Sequence, residues 1–203
     1  MATVATRIGP ADHGRKMTME EFLEAEEEEG YRYELARGVL EVTRVPGEPH
    51  GQVVCNLYRI VALHDQAHPG VILRYGGGDE FRLWVPGMLS GRNPDLGVVL
   101  RGTPIDLDGH RRPVLVAEVV SKSSIDRDHR AKREEYLAYG LLEYWIVDFL
   151  ERKLTLLARR GDTWVERPCP DGQPIPSLVL RGLAATTADL WADLDEYAGS
   201  PED

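Results

Sequence analysis

Only two cysteines occur in the 203 residues, Cys55 and Cys169. That leaves no disulfide framework and no cysteine-built metal centre, and plain thiols in a reducing compartment are expected. Long apolar runs are also missing. Nothing approaches the roughly 20 residues that cross a bilayer, and no signal-peptide core is evident, so a cytoplasmic protein with no membrane partner is expected. Basic residues are scarce, 24 Lys and Arg against 34 Asp and Glu, for a net charge of −10. This argues against a broad basic nucleic-acid footprint, so any polynucleotide contact has to be local and metal-assisted. Internal repeats and low-complexity tracts are absent. The run Gly76-Gly77-Gly78 lacks the Lys-Ser/Thr and helix of a phosphate-binding loop and receives no nucleotide role.

What remains is ordinary globular composition, 42% hydrophobic and 29% charged. Residues 1–17 show no periodicity and read as a flexible arm, and residues 18–203 read as one α/β domain. Thr18 opens a capping-box pattern and a short acidic helix to about Glu28. Its run Glu26 to Glu29 reads as a solvated face, with a partner-binding patch as the alternative. Tyr31 to Arg44 reads as a hairpin turning at Arg37-Gly38. Pro46, Gly47 and Pro49 mark a loop, after which Val53, Leu57, Ile60 and Val61 give a helical period from His50 that ends before Pro69-Gly70. Strands are expected at 71–75 and 80–85 with the glycine run as their turn, followed by a loop over 86–92. Further strands are expected at 95–100, 113–120, 142–148, 154–158 and 163–167, with a brief pairing at 178–180. Helices are expected at 125–139 and 187–197.

The chemistry concentrates between Asn93 and Asp148. If Leu100 faces Pro113 across the intervening loop, the antiparallel register sets Asp95 opposite Glu118, on one face of the sheet. Glu118 stands inside Val114-Leu115-Val116-Ala117-Glu118-Val119-Val120, which reads as a buried strand. An ionised carboxylate there needs a cation or many donors. Two opposed carboxylates with hard oxygens suit Mg²⁺ or Mn²⁺. In the next helix, Ile125, His129, Lys132, Tyr136 and Tyr139 share one stripe, while Arg127, Arg130 and Glu134 lie opposite. A right-handed crossover lays that stripe on the sheet and brings Lys132 towards the carboxylates. Plainer roles stay open. Asp95 could begin a strand, Glu118 could pair with Lys122 or Arg112, and Lys132 could extend its ammonium to water. His64 and His68, at i and i+4, could start a histidine metal site, but no third ligand is evident. His50 stands at the helix entrance, near the expected cleft.

Tyr33-Glu34-Leu35 with Gly38, Pro94-Asp95-Leu96, Val116-Ala117-Glu118-Val119 with Ser121, and Lys132 with Tyr136 and Glu143-Tyr144-Trp145-Ile146-Val147-Asp148 resemble the Uma2 family. That family belongs to the PD-(D/E)xK superfamily. The resemblance implies a restriction-endonuclease-like core, a mixed central sheet flanked by helices. It implies metal carboxylates at Asp95 and Glu118, a main-chain carbonyl ligand from Val119, an active lysine at Lys132 and an assisting acid at Glu34. The superfamily's lysine slot two residues past the glutamate holds Val120, and Lys122 replaces the family's usual proline, which makes Lys122 a second candidate for the active lysine. The implied activity is Mg²⁺- or Mn²⁺-dependent cleavage of nucleic acid, DNA in the first instance, by a homodimer. Between Lys122 and Arg133 five basic residues face two Asp, a local net of +3, so Lys122, Arg127 and Arg130 are candidate phosphate contacts. The competing expectation is a catalytically silent nuclease-fold module acting in protein interaction or regulation.

Overall fold

The computed structural model describes residues 6–105, 109–121 and 130–199. In chain order the elements are β1 (Arg7–Ile8), α1 (Met19–Leu23), β2 (Glu26–Glu27), β3 (Tyr31–Ala36), β4 (Val39–Arg44), α2 (Glu48–Ala67), β5 (Ile72–Gly76), β6 (Leu83–Val85) and β7 (Ser90–Arg92). They continue with β8 (Leu96–Leu100), β9 (Leu115–Val120), α3 (Lys132–Tyr139), β10 (Glu143–Asp148), β11 (Lys153–Arg160), β12 (Thr163–Arg167) and α4 (Thr187–Leu190). They fall into two compact units, one of the residues up to Val45 with Arg82–Asn93, the other of Pro46–Phe81 with everything from Pro94 onward.

The first unit carries a four-stranded sheet in the order β4-β3-β7-β6 and the parallel pair β1-β2. Its hairpin turns where expected, with Arg37 and Gly38 both at positive φ, 50° and 77°, as a two-residue turn matched to strand twist requires. Residues 6–17, read from sequence as part of an arm, include β1, and Ile8 and Met17 are buried with Phe22, Tyr33, Leu35 and Leu40. The acidic helix is shorter than expected. It stops at Leu23 and the chain turns into β2, because glutamates at 24, 26, 27, 28 and 29 would repel one another at helical spacing. The stretch 86–92, expected as a loop, contains β7, paired with β3 and β6.

The second unit is built on a mixed six-stranded sheet, β12-β11-β10-β9-β8-β5, in which only the β9–β10 pair is parallel. Parallel neighbours need a crossover, and here the connection from β9 to β10 contains α3. Helix α2 starts two residues earlier than expected. Pro49 lies inside its first turn, where a missing N–H is harmless. Val53, Leu57, Ile60 and Val61 of α2 form one core with Leu96, Val98, Leu115, Ala117, Val119, Trp145 and Val147. Each such buried side chain contributes on the order of 1.5–3 kcal/mol of apolar burial. Alternation along β9 then turns Val116, Glu118 and Val120 to the other face, yet all six residues of the strand are buried.

Three expectations for this unit need correction. The glycine run does not turn one hairpin. Strand β5 pairs with β8, and β6 belongs to the other sheet. Leu178 to Leu180 form no strand, because the Leu178 and Val179 amides donate instead to the buried Glu143 carboxylate, at 3.1 and 2.8 Å. The last helix breaks after Leu190 and resumes as a short turn at Leu194–Tyr197, with Asp193 at φ 61° between them.

Candidate active site

Asp95 stands at the mouth of β8 and Glu118 near the end of β9. The ladder pairs Leu96 with Ala117, Gly97 with Val116 and Val98 with Leu115. Continued by one residue, this is the register read from sequence, with Asp95 opposite Glu118. Both side chains are buried, at 6% and 3% exposure.

Packing around Asp95 leaves little freedom. Its Oδ2 accepts from the Val119 amide at 2.8 Å, and His50 Nε2 of α2 lies 3.3 Å from the same oxygen. Its main-chain carbonyl accepts from the Tyr58 hydroxyl at 3.2 Å. Gly77 backs onto that carbonyl so closely that a Cβ would collide with it. The glycine run thus makes room for the Asp95 backbone, and Gly78 N–H donates to Pro94 O at 2.9 Å.

Glu118 meets α3. Lys132 Nζ lies 2.9 Å from Glu118 Oε1, and the Tyr136 hydroxyl donates to the same oxygen in a short hydrogen bond. Lys132 is itself 3% exposed, so its ammonium is not led out to solvent. Tyr136 packs edge-on against Tyr144 of β10, ring centroids 4.9 Å apart, and Gly140 closes α3 at φ 100°. The helical stripe of Lys132 and Tyr136 therefore faces the sheet, as its spacing predicts. Arg112, an alternative partner of Glu118, lies over the Tyr139 ring.

The remaining candidate residues are disposed as follows. Glu34 lies in the first unit, where its carboxylate accepts from Arg92 at 3.1 Å and from the Asn93 amide at 2.8 Å, and Arg92 also pairs with Glu41. Val119 contributes its amide to Asp95. Arg130 is exposed. Lys122 and Arg127 lie outside the described residues. His64 and His68 stack with ring centroids 4.2 Å apart, and His68 Nδ1 donates to the His64 carbonyl at 3.1 Å, a geometry that does not turn the two rings onto a shared metal. Sequence reading missed Tyr58 and the hydrogen-bonding role of Tyr136. The spacing of Tyr136, four residues after Lys132, was the available signal.

The donor set suits a hard divalent cation. Among the described residues no group of three or more His, Cys, Asp and Glu converges, but Mg²⁺ commonly takes one or two carboxylates and keeps several waters for substrate phosphate. Asp95 and Glu118 are two buried carboxylates of that kind, opposite one another by the extended ladder register.

A model of the family described as "Putative restriction endonuclease", Uma2, matches residues 19–188. The chain belongs to the Uma2 family. Its fold agrees with a crystal structure described as that of a putative nuclease from Anabaena variabilis, at a TM-score of 0.66 and 18% identity over 88% of this chain and 99% of the other. At that identity the likeness is one of fold. No curated protein matches the sequence. The mixed six-stranded sheet and the family agree with the nuclease-like α/β class expected for a Uma2 chain. No helix among the described residues is long and apolar enough to cross a membrane.

Proposed function

We propose that the protein is a divalent-metal-dependent endonuclease that hydrolyses phosphodiester bonds of nucleic acid, with DNA as substrate. The observation that supports this reading is the meeting of a buried lysine with a buried glutamate at 2.9 Å, with an aspartate opposite that glutamate at the start of the neighbouring strand. Asp95, Glu118 and the Val119 carbonyl would hold Mg²⁺ or Mn²⁺. Such an ion lowers the pKa of a bound water and neutralises charge on the scissile phosphate.

The chain's own residues do the rest. Val119 N–H and His50 fix the Asp95 carboxylate, and Tyr58 and Gly77 fix its backbone. Tyr136 and Lys132 hold Glu118 in place. Lys132 presents its ammonium to the developing negative charge, an electrostatic contribution of about 3–4 kcal/mol where one such group is removed from other enzymes. Glu34 is assigned the assisting role that the family resemblance implies. Lys122, Arg127 and Arg130 would touch phosphates, which makes binding fall as salt rises. A homodimer would present two such sites to the two strands of a duplex.

Cleavage of supercoiled plasmid with Mg²⁺ or Mn²⁺ tests the proposal. Asp95→Ala, Glu118→Ala and Lys132→Ala should each abolish nicking, and full activity in the Asp95 variant would assign the cleavage to another site. A second reading, a silent module retaining the fold, draws on the fact that Glu118 Oε1 already has two protein donors. Titration calorimetry with Mn²⁺ separates the two, since only the enzyme needs to bind the ion.

A further inference from the structure

Apart from the Asp95–Glu118 region, the second unit contains a cavity of about 200 Å³ between α2 and the segment leading into α4. Most of its wall is apolar, with Ile60, Leu183 and Ala185 among the lining residues. His64, Arg59 and His68 supply the polar part together with Asn56, whose amide donates to the Leu190 and Ala192 carbonyls, and Asp189. His64 is 4% exposed, and its Nδ1 is buried without a hydrogen-bond partner. Native folds seldom leave such an atom unsatisfied, and it marks a position where a ligand group completes the bonding.

Charge narrows the class of ligand. Arg59 has no ion pair among the described residues, while the one carboxylate lining the cavity, Asp189, is taken up by the Thr186 amide and hydroxyl at 2.7 and 2.9 Å. His68 uses its Nδ1–H on the His64 carbonyl, and Gly182, at φ 79°, leaves its ring room at the cavity edge. The polar wall therefore offers cation and N–H donors and no uncommitted acid. An apolar cavity of about 150 Å³ takes a benzene ring in another protein, so this volume suits a ring-sized body with one small polar group. We propose that the cavity binds a small organic carboxylate, its carboxylate on Arg59 and the His64 Nδ1–H and its apolar body against Ile60, Leu183 and Ala185. Burial, and after it the neighbouring His68, hold the His64 ring below the usual histidine range, which keeps it a neutral donor.

The probes are sodium benzoate, benzyl alcohol and sodium acetate, added to the full chain and followed by the histidine ring resonances and by calorimetry. Benzoate should shift the His64 and His68 signals saturably. Acetate should bind at least about tenfold more weakly, for want of the apolar body. Arg59→Gln should cost benzoate about tenfold in affinity and leave benzyl alcohol unchanged, as the loss of one charge-assisted contact predicts. Ala185→Phe should block both aromatic probes. If that variant fails to fold, the Arg59 comparison still decides, because Arg59 is exposed and its replacement leaves the core intact. An unmoved His64 signal in the folded wild type, or equal benzoate affinity in Arg59→Gln, would overturn the proposal.

Discussion

Replacing Lys132 with methionine keeps an unbranched side chain one atom shorter and removes its charge. The Lys132 and Glu118 side chains are each 4% exposed, and Nζ lies 2.9 Å from Oε1. Breaking a buried pair by deleting one partner leaves an uncompensated charge and costs about 3–5 kcal/mol. The Tyr136 hydroxyl remains as a donor to Glu118, so the lower end of that range is expected, about 3 kcal/mol. For a chain of this size each kcal/mol lowers Tm by roughly 2–4 °C, giving a drop of about 6–12 °C. The double variant Lys132→Met with Glu118→Gln removes both charges, and replacing a buried pair by neutral groups is often close to neutral. It should therefore recover most of the loss. Urea unfolding followed by tryptophan fluorescence, on wild type, both single variants and the double variant, gives the coupling energy directly. A single variant within about 1 kcal/mol of wild type, or a double variant no better than Lys132→Met, would refute the claim that this pair is a buried and mutually dependent one.

Other outcomes follow from the same geometry. Burial raises the Glu143 pKa above its ordinary 4.5, against the opposing donors Trp145 Nε1, Val179 N, Ser177 Oγ and Leu178 N. The folded state then binds the proton more tightly than the unfolded one, so stability is fully present below pH 4.5 and falls as pH rises through the raised value. That slope should be missing from Glu143→Gln in urea midpoints measured across the acid range. Gly77→Ala forces a Cβ against the Asp95 carbonyl and should cost about 1–3 kcal/mol by overpacking, together with nuclease activity, as thermal unfolding and plasmid nicking will measure. Burial pushes the Cys169 thiol up to about 11, whereas Cys55 is exposed. Iodoacetamide at neutral pH should alkylate Cys55 and spare Cys169 in the folded protein, read by peptide mass mapping.

Much of the site's framework was legible because it rests on short-range patterns. The apolar run around Glu118 and the loop between Leu100 and Pro113 gave the strand register, which the Leu96–Ala117 ladder reproduces. Helical spacing put Lys132 and Tyr136 on one face of α3, and both are buried against the sheet. Contacts between distant segments had no such pattern. Tyr58 reaches the Asp95 carbonyl 37 residues away and His50 meets the Asp95 carboxylate from α2, and neither is marked by any local period. The glycine run misled for a related reason. Glycine signals both a turn and a close backbone approach, and only the folded chain shows that Gly77 serves the second at Asp95. Three-residue strands such as β7 are too short to declare a period, and their pairing with β3 and β6 is a tertiary fact.

The central claim concerns where a divalent ion binds. Anomalous scattering from a crystal soaked in Mn²⁺ addresses it most directly. A peak in contact with both the Asp95 and Glu118 carboxylates is the expected result, and its loss in Asp95→Ala should follow. A peak at some other cluster of acids, or wild-type crystals with no peak beside these two side chains, would contradict the account.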